Sequence, residues 1–67
     1  MNSRALRDCC TRLLIAREAV EDVAVLIGPA DRSQAARLTR IAQRIEAEIA
    51  LLGQKIEAAR KAEKGTP

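Results

Sequence analysis

The chain has 67 residues, which limits it to one small domain, and a domain this short buries too little surface to be stable on its own core. It has no histidine and only two adjacent cysteines, Cys9 and Cys10, so no tetrahedral metal site can be completed; neighbours on a helix also point about 100° apart, which does not suit a disulfide between them. Apolar residues make up 48% of the chain, aromatic residues 0%, and the net charge is +3, a helix-packing vocabulary of Ala, Leu, Ile and Val that excludes disorder by composition and leaves oligomerisation as the missing support.

The first predicted element is a helix over about residues 4–27, capped by Ser3 or Asn2. Leu6, Cys9, Leu13, Ala16, Val20, Val23 and Ile27 recur along it at alternating steps of three and four, which is a coiled-coil seam. Its four arginines, Arg4, Arg7, Arg12 and Arg17, are balanced by Asp8, Glu18, Glu21 and Asp22. The longest apolar run, residues 23–27, is too short to span a bilayer, and Met1-Asn2-Ser3-Arg4 opens no signal-peptide core. A cytoplasmic location with no membrane partner is the expectation, and reduced thiols at Cys9 and Cys10 fit it.

A turn over residues 28–31 follows. Gly28 suits the position that closes a helix, Pro29 cannot continue one, and Asp31 with Gln34 three residues later reads as an N-cap with its capping-box partner. The second helix is expected over about residues 32–63, ended by Gly65-Thr66-Pro67, with a seam of Ala35, Leu38, Ala42, Ile45, Ile49, Leu52, Ile56 and Ala59. The excess positive charge lies wholly here. Gly53 is out of place mid-helix, where it costs about 1 kcal/mol relative to Ala, and either a close helix crossing or a tolerated surface glycine accounts for it.

A short turn between two such helices folds residues 1–67 into a single all-α domain, an antiparallel hairpin with seam against seam. At ~1.5 Å per residue the second helix outruns the first by roughly a dozen Å, so Ile56 and Ala59 are expected to project past it. A homodimer that closes a four-helix bundle is the simplest cover for the seam residues Leu6, Cys9, Leu13, Val20, Val23, Ile27, Leu38, Ile45, Ile49, Leu52 and Ile56. In architecture, and in no alignable motif, this resembles the RNA-binding hairpin dimers of the Rop type.

Three features compete as the carrier of function. Catalysis is the weakest: there is no imidazole to activate Cys9 or Cys10, and Glu46 and Glu48 diverge on a helix, so no enzyme activity and no cofactor is expected. Cys9 reads first as a small buried hydrophobe, and a redox contact across a dimer is its functional alternative. The second feature is an outer stripe on the first helix. Ile15, Ala19 and Leu26 lie nearly opposite the seam with Leu14 and Val25 between the faces, and Glu18, Glu21 and Asp22 give them an acidic rim. They either widen the dimer core or dock a helix or groove of another protein. The third is an arginine ladder, Arg37, Arg40 and Arg44, extended loosely by Arg32 and Lys55. It either tracks phosphates or is a solvated face in which Arg44 pairs with Glu48; with no aromatic to stack on a base its specificity is low. The reading that follows is a small non-enzymatic protein-binding regulator or adaptor, of inhibitor, anti-activator or chaperone type, acting as a hairpin oligomer. The alternative is a dimeric nucleic-acid binder that uses the ladder. A hairpin that serves as one subunit of a hetero-oligomer is a third possibility.

Overall fold

The first backbone N–H groups of a helix have no partner within it, so a helix begins where a side chain can take their place. In the computed structural model, which describes residues 2–65, α1 (Ser3–Ile27) begins after Asn2, whose side-chain oxygen accepts from the Ala5 N–H at 2.9 Å. α2 (Arg32–Lys64) begins after Asp31, which accepts from the Gln34 N–H at 2.9 Å. Both caps are the types expected, and Asn2 rather than Ser3 is the first. The reciprocal half of the Asp31 capping box does not form, because the Asp31 N–H already donates to the Ile27 carbonyl at 2.8 Å. Ala30 donates to that same carbonyl at 2.9 Å, and the two bonds close the turn.

Gly28 does not take the left-handed conformation of a helix-closing glycine. Its φ is −49°, and its N–H continues the helical ladder to the Ala24 carbonyl. Pro29 supplies the stop, since it has no N–H to give, and the missing Cβ of Gly28 relieves the clash that bars most residues before proline from a helical conformation. Thr66 and Pro67, expected to close α2, lie outside the described residues.

The two helices pack antiparallel, and their contact follows the seams with one departure. On α2 every expected position, from Ala35 and Leu38 through Ala42, Ile45, Ile49, Leu52 and Ile56 to Ala59, is buried or half-buried. On α1, Leu6, Cys9, Leu13, Ala16 and Val20 follow the pattern, but Val23 is 48% exposed and the buried residue is Ala24. The cause is drift: a straight helix of 3.6 residues per turn slips ~20° per heptad against a 3.5-residue repeat, so after two heptads the inward position has passed from Val23 to its neighbour. Ala24 and Ala42 border one groove at this level, and their methyl-sized side chains let the backbones approach near the turn.

The expected overhang of α2 is also absent. Ile56 and Ala59 are half-buried, and Ala59 borders a groove with Leu6 and Cys9 instead of projecting past α1. The open end is closed by Glu63, whose carboxylate accepts from the Ser3 N–H at 3.1 Å and lies 3.0 Å from the Ser3 hydroxyl. Helix side chains lean toward their own N-terminus, so Glu63 reaches back along α2 to the start of α1, where a negative charge meets the positive end of the α1 dipole. These bonds from the Ser3 backbone and side chain, aided by Arg7 and Arg60, hold the Glu63 carboxyl below its usual range.

Two outcomes are expected. A Cβ built at Gly53 meets nothing within 4 Å, so Gly53→Ala should stabilise the hairpin by about 1 kcal/mol, read as a rise of about 4–8 °C in melting temperature. An unchanged or lowered value would show that something outside the hairpin approaches this turn. A carboxylate whose pKa is lowered on folding contributes stability that is present at neutral pH and lost as acid carries it through the lowered value. Glu63→Gln should therefore melt below the wild-type protein at pH 7, with the gap closing in acid. A gap of constant size down to about pH 2, well below the usual carboxylate range, would mean that the Ser3–Glu63 contact does not couple to folding.

Candidate protein-docking surface

Helical spacing gives α1 more apolar residues than one seam can hold, and the hairpin leaves the surplus outside. Ile15 is 62% exposed, Val25 76% and Leu26 80%; Ala19 is exposed and Leu14 lies at the edge of exposure. All five residues expected of the outer stripe are thus on the surface, concentrated on the half of α1 nearer the turn. Packing in the hairpin makes least use of Ile15 and Leu26, whereas Leu14 is largely covered and Val25 borders the groove between the helices.

The charges around the stripe are acidic because the one cation in this half of α1 turns inward. Arg17 is largely covered, with Nη1 3.5 Å from Glu46 Oε1 across the groove between the helices. Its Nε lies 3.1 Å from Glu21 Oε1 without pointing its hydrogen there, so that contact is Coulombic and not a hydrogen bond. Glu18, Glu21 and Asp22 are exposed, and no outward-facing cation lies among residues 14–27.

The arginine ladder is exposed as well. Arg37, Arg40 and Arg44 border a shallow groove with Ile41 and Ile45, at the edge of the α2 seam. Arg37 donates to the Ser33 hydroxyl at 3.0 Å, and the pairing of Arg44 with Glu48 does not form: among the described residues the ion pairs involve Arg12 with Asp8, Arg17 with Glu21 and Glu46, and Arg60 with Glu57. Lys61 and Lys64 sit in the last turn of α2, where cations complement the helix dipole.

Cys9 and Cys10 are half-buried free thiols on opposite sides of the line of contact. Among the described residues no three His, Cys, Asp or Glu side chains converge on a point where they could hold a metal ion, and no helix is long and apolar enough to cross a membrane. Sequence reasoning passed over Ile41 and Leu51, which are about half exposed. Ile41 had a readable signal, since it follows Leu38 by three and precedes Ile45 by four and so falls on the edge of the seam.

No family model, curated protein or solved structure matches this chain. The functional reading therefore rests on its own residues.

Proposed function

We propose that the chain is a non-enzymatic, protein-binding regulator or adaptor of the cytoplasm that works as a homodimeric helical hairpin. The observation that carries this reading is the exposed outer stripe of α1, with Val25 and Leu26 more than three-quarters exposed beside an acidic rim. Its occupant is an amphipathic helix of another protein. Apolar anchors at three- and four-residue spacing receive Ile15, Ala19 and Leu26, and basic residues flanking those anchors meet Glu18, Glu21 and Asp22. Such a surface lets the dimer mask or hold a partner helix, as an inhibitor, an anti-activator or a chaperone would.

One observation favours a second reading. Arg40 and Arg44 carry no ion pair among the described residues and lie exposed beside Arg37, so a dimer would offer two such ladders to phosphates. The two readings differ in their response to salt, because phosphate binding releases counterions and weakens steeply as salt rises, whereas docking held mainly by apolar anchors changes little.

The test compares two variants in a pull-down from the native host with nuclease added. Replacing Ile15 and Leu26 with Ser and Gln should leave helicity and assembly mass nearly unchanged, because exposed apolar side chains contribute little to the fold. It should weaken capture of a host protein by at least about tenfold, since a few apolar anchors hold most of an interface's energy. Arg37, Arg40 and Arg44 changed to Gln should leave capture intact. Loss of assembly in the Ile15/Leu26 variant would assign those residues to the dimer core, and loss of binding only in the arginine variant would move the site to α2.

A further inference from the structure

The two sides of the hairpin differ in chemistry. One groove between the helices is bordered by Arg17, Glu21, Thr39, Gln43 and Glu46, and the Arg17–Glu46 ion pair crosses it. The other side carries Cys9, Ala16, Val23 and Ile27 of α1 and Ile41, Ile45, Leu52 and Ala59 of α2, positions that 100° spacing puts on one flank of each helix. Val23 and Ile41, the two that stand highest above this flank, are each about half exposed.

The area fits one more chain of the same kind. The hairpin exposes 5227 Å², whereas a compact monomer of 7.3 kDa exposes about 4,200 Å². The excess, roughly 1,000 Å², matches what one partner gives to a stable interface, about 800 Å² in a standard complex and more in an obligate homodimer. The shape agrees: the hairpin is a rod 58 Å long and 14 by 12 Å across, with a radius of gyration of 15.9 Å against about 11 Å for a compact chain of this length.

The register within the hairpin decides how two copies would stack. Ser3 lies level with Glu63, Arg17 with Glu46, and Gly28 with Ala35. To within about one turn, Val23 is therefore level with Ile41 and Asp8 with Lys55. We propose that the apolar side is covered by a second copy in parallel orientation, both turns at the same end, so that each α1 lies on the other copy's α2. This rests on the homodimer reading above and adds its face and its direction.

In that orientation Val23 and Ile41 of both copies gather around the two-fold axis. Asp8, which pairs with Arg12 at the edge of one α1, comes level with Lys55 at the edge of the other copy's α2. The reverse orientation stacks α2 on α2. It sets a helix of eight bases and four acids against itself, brings Glu48, at the midpoint of α2, to face its own copy, and places Val23 near Asp8 and Ile41 near Lys55. α1 holds four bases and four acids, so only the parallel stack avoids like against like.

The experiment places a spin label at Ala30→Cys in a Cys9→Ala/Cys10→Ala background and measures the distance between the two labels in the assembled protein. Parallel copies put the labels within about 25 Å, because stacked helices lie ~10 Å apart. Dimers with labels near the 58 Å length of the rod would overturn the orientation and leave the homodimer standing. Sedimentation of the wild-type chain separates the two claims. A monomer at micromolar concentration, or a trimer or tetramer, overturns the homodimer and this arrangement together. The face is tested in the otherwise wild-type chain: Val23→Asp, a half-exposed position in the lone hairpin, should weaken association at least a hundredfold, with helicity lost only as the copies separate, while Val25→Asp should leave association and helicity unchanged. Equal association of wild-type and Val23→Asp chains would show that the apolar side is not the interface.

Discussion

A side chain on one of two packed helices can be covered along a single line of contact, and what lies to either side of that line stays open. That constraint governs this hairpin. Its core is Leu6, Ala24 and Ala42, and no large side chain is fully buried. Leu13, Val20, Leu38, Ile45, Ile49, Leu52 and Ile56, which would fill the interior of a bundle, keep part of their surface in water. Helix propensity cannot make up that deficit. In proteins most helical stability comes from burying an amphipathic face, and this hairpin has buried only a strip of one.

How the two open sides are treated then separates structure from association. On one side Arg17 spans the groove, its long stem covering apolar surface while its charge is shared between Glu21 and Glu46, so that side can face water. On the other side nothing charged crosses, and the apolar flanks of both helices run on toward the turn. The polar ends fix the register that makes these flanks useful. Glu63 is tied to Ser3 at one end, and the paired donors of Ala30 and Asp31 close on Ile27 at the other, so neither helix can slide by a turn without losing several hydrogen bonds. A surface that must match a second chain residue by residue depends on that fixed register.

Much of this was legible in the residues. Gly28-Pro29 and Asp31 placed the turn, and three-and-four spacing found every inward position of α2. Val23 departs from the pattern because a strict seven-residue repeat does not follow the helix, which keeps its own period and drifts past it. The level end of the hairpin is hidden from sequence for a different reason. Counting residues gives the length of a backbone, but Glu63 acts at the reach of a side chain, and no local pattern links it to a serine sixty positions away. The outer stripe of α1 was readable as a surplus of apolar residues. Whether those residues faced inward or outward was not, since that depends on where α2 lies and not on α1 alone.

The exposure of that stripe carries more weight because of which residues form it. Ile15 and Val25 are β-branched, and their stiff side chains cost a few tenths of a kcal/mol each relative to Ala in a helix. A buried β-branched residue recovers that cost many times over through apolar burial, but at 62% and 76% exposure these two recover little within the hairpin. Alanine at both positions would make a better isolated α1. Nor does the proposed stack of two copies reach Val25, which lies on the flank of α1 turned away from Val23 and Ile41. In the proposed docking role the return for these residues is contact with a partner helix, and the acids set among them suit one of positive charge.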